Sequence, residues 1–320
     1  MDCISGWCRS QRRLVGMTAI ITGCNSGIGR ETAADLYSRG ARVIMACRDT
    51  NKAEVAKTDI ENEIDKTEIR GDLIVEKLDV SSLKSVRDFV SKILETEPQI
   101  HILINNAGVM MCPESKTEDG FETHIGTNHF GHALLTLLLL PRMIKSAPSR
   151  IVFVSSKLHT SHKVDLDDLN FEKSEYNANV AYCRSKGANV LFAKALAIKL
   201  KEHNIKDVTT YSLHPGVIKT DISRHFDKTV ARGATWAFNN AGMFLKSPKC
   251  GAQTSIYCAV DEACNEDSGL YYSDCAVKRP SKQCQDDDFA IQFWEKTIES
   301  LNLNNYNAFG DSDAPKSLLA

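Results

Sequence analysis

The stretch Met17-Thr18-Ala19-Ile20-Ile21-Thr22-Gly23-Cys24-Asn25-Ser26-Gly27-Ile28-Gly29 decides the fold. Met17–Thr22 is a short apolar run that reads as a strand. The residues after Gly29 read as a helix, with Ala33, Leu36 and Tyr37 on its apolar side and Gly40 as its stop. Three glycines between a strand and a helix have separate uses. One makes the tight turn, one lets backbone N–H groups approach a diphosphate, and one lets the helix lie close to the strand. The helix N-terminus then stabilises the phosphate charge. A glycine cluster alone would be an ordinary turn, but the strand before it and the helix after it supply the context that nucleotide binding requires.

Outward from this unit, further strands are expected at Arg42–Cys47, Leu73–Leu78, Ile100–Asn105, Arg150–Ser155, Thr209–His214 and Gly269–Tyr272. These runs do not alternate apolar with polar, as expected of a parallel sheet covered on both faces. Helical periods separate them, so the chain reads as α/β, built from βαβ units. Leu83, Val86, Phe89, Val90, Ile93 and Leu94 share one helix face, with Ser81 or Ser82 as its cap and Pro98 beyond its end. Gly187–Leu200 is apolar nearly all round and must be buried on both sides, in the core or in a subunit contact. The longest apolar run, Ala133–Leu140, is too short to cross a bilayer and reads as a core helix. Residues 1–15 read as an N-terminal extension with no signal-peptide h-region, 16–301 as one nucleotide-binding domain, and 302–320 as a flexible polar tail.

The 320 residues are 42% apolar and 25% charged, and the 39 basic against 41 acidic side chains leave a net charge of −2. That balance excludes a nucleic-acid binder, which would carry a basic excess. Eleven cysteines are scattered with no C-x-x-C pair, so neither a zinc site nor a disulfide framework is indicated. Reduced thiols place the chain in the cytoplasm, or peripherally on the cytosolic face of a membrane.

The spacing T-G-x-x-x-G-I-G resembles the short-chain dehydrogenase/reductase family, and further marks of that family follow in order. Asp79 stands after the third strand, Asn105-Asn106-Ala107-Gly108 ends the fourth, and Asn128, Ser156, Tyr182 and Lys186 fall where the catalytic four belong. Pro215-Gly216-Val217-Ile218-Lys219-Thr220 matches the element beside the nicotinamide. The resemblance implies a Rossmann-type doubly wound parallel sheet of about seven strands with helices on both faces. It also implies cofactor contacts from Gly23, Asn25, Ser26, Gly27, Ile28, Gly29, Asp79, Asn105, Ala107, Gly108, Pro215, Gly216, Val217 and Thr220, together with Tyr182 and Lys186. At the end of the second strand Arg48 offers a guanidinium fork suited to a 2′-phosphate, where an NAD enzyme would place a carboxylate. NADP(H) is therefore expected, with NAD(H) as the alternative, and Asp49 next door weighs against the preference.

Tyr182 and Lys186 are four apart and share a helix face. Hydride transfer between a carbinol carbon and a nicotinamide needs a proton at the oxygen. A phenol is a poor base at neutral pH unless an ammonium favours its phenolate. Lys186 is thus expected to lower the Tyr182 pKa, Ser156 to fix the reacting oxygen, and Asn128, by resemblance, to hold a water linking Lys186 to solvent. Ser155 is kept as a structural hydroxyl. The 26-residue separation of Ser156 and Tyr182 is about twice the family's usual spacing. The extra segment Lys157–Ala181, with Asp165-Leu166-Asp167-Asp168-Leu169, is expected to cover the substrate cleft. This insertion and Gly126-Thr127-Asn128-His129-Phe130-Gly131-His132 look like the retinol-dehydrogenase branch. That likeness implies a small apolar alcohol or carbonyl partner, retinol/retinal first. A steroid, lipid aldehyde or xenobiotic carbonyl, or a non-catalytic nucleotide-binding scaffold, stands as the alternative. Peripheral membrane contact and a homodimer stay open. No metal is expected at His129/His132 or His159/His162, since hydride chemistry needs none and a third ligand is missing from the pattern.

Overall fold

The computed structural model describes residues 5–64, 70–218, 226–229 and 245–319. Its strands are β1 (Thr18–Thr22), β2 (Arg42–Cys47), β3 (Asp72–Lys77), β4 (Ile102–Asn105), β5 (Ser149–Val154), β6 (Val208–His214), β7 (Tyr271–Ser273) and β8 (Ala276–Lys278). They form one sheet in the order β3-β2-β1-β4-β5-β6-β7-β8. All neighbours run parallel except β7 and β8. The helices are α1 (Gly27–Ser38), α2 (Thr50–Glu63), α3 (Leu83–Thr96), α4 (Thr123–Ile125), α5 (Gly131–Lys145), α6 (Ala178–Glu202), α7 (Phe226–Thr229), α8 (Pro248–Val260), α9 (Lys282–Gln285), α10 (Asp287–Ser300) and α11 (Lys316–Leu319).

Successive side chains of a strand point to opposite faces, and the two cores divide accordingly. Ile20, Ile44, Leu103 and Phe153 enter the layer with α3, α5 and α6, while Ile21, Met45, Ile104 and Val154 enter the layer with α1 and α8. Burial on both sides explains the unbroken apolar runs of the sequence. Ser82 is the residue that caps α3, accepting from the Ser85 amide at 3.1 Å. Asp286 caps α10 ahead of Asp287 and Asp288, so the acidic run sits at a helix N-terminus. Gly187–Leu200 of α6 is covered within the chain by α10, with Phe192 stacked on Trp294 at 5.0 Å, and the apolar pattern needs no second copy. Among the described residues no helix is long and apolar enough to cross a membrane.

The eighth strand was not expected. It returns antiparallel to β7 through Asp274 and Cys275, both at positive φ, without the Asn-Gly signature of such turns. The segment after Leu301, expected to be a flexible tail, is instead laid on the core. Leu303, Ala308 and Ala314 are buried, Phe309 stacks on His203, and Arg142 pairs with Asp313 at 2.7 Å. These anchors are spaced irregularly, which hid them from a periodicity reading. Residues 5–15 are likewise docked, with Leu14 fully buried and Arg39 donating to the Ser10 and Arg12 carbonyls.

His129 and His132 are buried in this core, and burial pushes their pKa values down to about 3 and about 4. Each must become protonated on unfolding below about pH 6.5, the ordinary histidine value. Their contribution is therefore complete above that pH and is lost as pH falls towards the folded values. The unfolding free energy from urea titration is expected to drop steadily from pH 7 to 5, by about 2 kcal/mol for each histidine, lowering the midpoint with it. A midpoint unchanged over that range would contradict this.

Candidate active site

The strand order reverses between β1 and β4, and the crevice outside their C-terminal ends is where an α/β sheet takes its ligand. A cleft of about 1480 Å³ opens there. Gly23 turns the chain with φ +64, and a Cβ on it would lie 2.9 Å from Ala107. A Cβ on Gly29 would strike the Gly23 carbonyl at 2.5 Å, so only glycine lets α1 sit this close to the loop. Ser26 is the N-cap of α1 yet makes no side-chain cap bond, which leaves the helix's first amides turned to the cleft. Asn25, Gly27, Ile28, Ala107, Gly108, Pro215, Gly216 and Val217 also line it. These features fit a diphosphate and its nicotinamide dinucleotide.

Of the two strand-end asparagines, Asn105 faces away. Its amide donates to Thr136 at 3.0 Å inside the core, because consecutive residues cannot point the same way. Asn106 takes the place expected of it, lining the cleft and donating to the Thr22 and Gly23 carbonyls at 2.8 and 3.1 Å. Thr220 lies outside the described residues. At the far end of the cleft Arg48 is exposed and sits 3.8 Å from Asp79. Asp79 in turn accepts from the Ser81 amide and hydroxyl. The Asp49 carboxylate is engaged as the cap of α2, accepting from the Lys52 amide at 3.1 Å.

The four catalytic candidates converge at the other end. Asn128 lies in a wide π-turn, Gly126–Phe130, between α4 and α5. Its side chain is clamped by the Val109 backbone at 2.8 and 3.0 Å and by Ser185 at 2.9 Å. The Ser156 hydroxyl accepts from the Leu158 amide at 3.2 Å and lies beside the Tyr182 phenol, where it acts to lower the phenol's pKa. Ser155 is spent elsewhere, its hydroxyl donating to the Lys186 carbonyl at 2.6 Å. Lys186 Nζ donates to the Val154 carbonyl at 3.0 Å. Tyr182, Lys186, Ser156 and the phosphate loop all border one cleft.

The profile of the family described as short chain dehydrogenase matches residues 17–231. The chain belongs to the short-chain dehydrogenase family. Within it the chain is similar to Retinol dehydrogenase 11 of Homo sapiens, 46% identical over 299 residues that cover 93% of this chain and 90% of that protein. It is also similar to Retinol dehydrogenase 14 of Mus musculus, 45% identical over 293 residues covering 88% and 84%. A solved structure of an uncharacterised protein from Mycobacterium Paratuberculosis superposes with a TM-score of 0.72 at 31% identity, covering 92% of this chain and 97% of that one. This short-chain dehydrogenase is thus an oxidoreductase of the retinol-dehydrogenase-like branch, using a nicotinamide cofactor on small alcohol or carbonyl substrates.

The electrostatics of this dehydrogenase correct one expectation. Burial pushes the Tyr182 phenol up to about 12, and the neighbouring Ser156 hydroxyl offsets that only in part. Burial is the larger effect on the phenol even with the Lys186 amine close by. The amine is turned to Val154, 5.9 Å from the phenol ring centre, and burial brings its own pKa down to about 8. Dehydration favours the neutral form of both groups and outweighs their mutual attraction.

The insertion also departs from expectation. Only its first turn, Lys157, Leu158, Thr160 and Ser161, borders the cleft. The rest folds on itself, the Asp168 carboxylate accepting from the Glu172, Lys173 and Ser174 amides, and Val164 and Leu169 enter the core. Met110 and Met111 line the cleft as the expected wall at residues 109–115 would, and Thr127 and His214 line it without having been singled out. His214 had a signal, its place directly before Pro215-Gly216. The paired histidines make ordinary hydrogen bonds: His129 to Thr297, and His159 with the Ser156 carbonyl and the Ser281 amide.

Proposed function

We propose that this dehydrogenase is an NADP(H)-dependent reductase of apolar carbonyls, retinal to retinol being the leading pair. The observation that carries this reading is the convergence of Ser156, Tyr182 and Lys186 on the cleft that holds the phosphate loop, and the direction follows the cofactor ratio, which for NADPH favours reduction. A bound nicotinamide would supply the hydride, and Tyr182 would donate the proton to the reacting oxygen. Ser156 fixes the carbonyl oxygen by hydrogen bonding. Lys186 and Asn128 border the same corner, and the water that Asn128 is expected to hold would return a proton to Lys186. Arg48 and the adjacent Lys52 supply positive charge at the adenosine end, while Asp49 is committed to its helix cap. Met110, Met111, Leu158 and Val217 make an apolar rim at the substrate end. The names of the relatives support a retinoid. The free thiols, Cys24 and Cys47 standing 3.8 Å apart among them, support a reducing compartment, the cytoplasm or the cytosolic face of a membrane.

The test is turnover of NADPH by purified protein with all-trans-retinal, a steroid ketone and a medium-chain aldehyde. Retinal is expected to give the highest kcat/KM, and a better steroid would replace the substrate assignment. The reverse reaction carries a pH signature. Alcohol oxidation needs the phenolate, so its rate should rise about tenfold per unit between pH 7 and 9. Carbonyl reduction uses the protonated phenol and should not rise there. An oxidation profile that keeps this rise at wild-type rates in Tyr182→Phe would contradict the assignment of Tyr182.

A further inference from the structure

His132 is almost wholly buried on α5, away from the cleft surface, yet it touches both halves of the site. Its Nε2 lies 2.9 Å from Thr22 Oγ1, and its Nδ1 lies 3.1 Å from the Asn128 carbonyl oxygen. Thr22 ends β1, immediately before the phosphate loop. Its hydroxyl oxygen accepts the Asn106 and Ala107 amides, each at 2.9 Å. Two acceptor bonds fill the two lone pairs of a hydroxyl, which leaves its single hydrogen to be donated. The near acceptor is His132 Nε2, the Ile104 carbonyl being farther at 3.5 Å. Nε2 is then the unprotonated nitrogen, and Nδ1 must carry the hydrogen that reaches the Asn128 carbonyl, which can only accept.

We propose that His132, as the Nδ1–H tautomer, is a positioning residue that ties the phosphate loop and the Asn-Asn-Ala-Gly strand end to the catalytic asparagine. The chain of bonds runs from the Asn106 and Ala107 amides through Thr22 and His132 to Asn128, all in the buried layer behind the cleft. Asn128 holds its amide toward Gly108, beside Lys186 Nζ. A Cβ placed on Gly108 would lie 3.1 Å from Asn128 Oδ1 and 3.4 Å from Lys186 Nζ. A π-turn is a widened, less regular piece of helix, so a bond to its carbonyl from the next turn is a means of holding it in one position. The residue reaches substrate and cofactor only through others. Its loss should therefore appear in kcat rather than in cofactor affinity.

Two amide side chains separate the two bonds. Asn at position 132 puts an N–H donor where Nδ1 is, and Gln puts an oxygen acceptor where Nε2 is. The kinetic arm rests on the reductase reading and uses NADPH with all-trans-retinal. H132Q keeps the Thr22 bond and should lose about tenfold or more in kcat, with NADPH affinity by fluorescence within about threefold of wild type. H132N keeps the Asn128 bond and should recover most of kcat. Wild-type kcat in H132Q, or equal losses in H132N and H132Q, would overturn the proposal. The second arm needs no substrate. The ¹⁵N spectrum of histidine-labelled protein, with His132 assigned by its disappearance in H132N, should show the Nδ1–H tautomer. An Nε2–H tautomer or a doubly protonated ring at pH 7 would overturn it. If wild type fails to reduce retinal, the substrate assignment falls while the tautomer still decides the role of His132.

Discussion

Tyr182→Phe is expected to reduce carbonyl turnover by about 10³-fold while NADPH binding stays within a few-fold. Phenylalanine keeps the ring in its buried seat on α6, where Tyr182 is almost wholly enclosed. What disappears is the hydroxyl alone, and with it the transferable proton. The phosphate loop, Arg48 and the strand ends are untouched, so cofactor affinity has no reason to change. Stopped-flow NADPH oxidation and a fluorescence titration read the two quantities separately. Activity within about tenfold of wild type would mean that another group supplies the proton.

Arg48→Asp should lower the ratio of kcat/KM with NADPH to that with NADH by about 100-fold. The exchange replaces the cation at the end of the cleft, where the adenosine ribose is expected, with a carboxylate, which accepts from a 2′-hydroxyl and repels a 2′-phosphate. It also sets two acidic groups side by side, since Arg48 is the partner of Asp79 at 3.8 Å. Lys52 remains nearby, so NADPH should still bind, only less selectively. Kinetics with both cofactors at a fixed substrate concentration give the ratio directly. An unchanged ratio would remove Arg48 from cofactor selection.

Much of this was legible because covered parallel strands and a glycine turn leave strong local marks. Thr22–Gly29 named the turn, the helix and the crevice together, and seven strands followed from unbroken β-branched runs. The misses share a physical cause, dependence on tertiary contacts. Asp274-Cys275 turns a hairpin with no glycine at either positive-φ position, so β8 left no signal. Leu303, Ala308, Phe309 and Ala314 dock a segment whose anchors follow no period. In the site, Asn105 and Asn106 are chemically identical neighbours, and only the strand's pleat decides which one meets the cleft. Sequence spacing shows that Lys186 is near Tyr182 but not that both groups are dehydrated, nor that the amine is bonded to Val154.

The central claim is that the cleft joining the phosphate loop to Ser156, Tyr182 and Lys186 carries a hydride to an apolar carbonyl carbon and a proton to its oxygen. Its most direct test is reduction of all-trans-retinal with NADPH deuterated at nicotinamide C4, followed by mass spectrometry of the product. The account predicts retinol with one deuterium on the carbinol carbon, formed by wild type and not by Tyr182→Phe. Retinol formed without the label, or formed equally by both proteins, would contradict it.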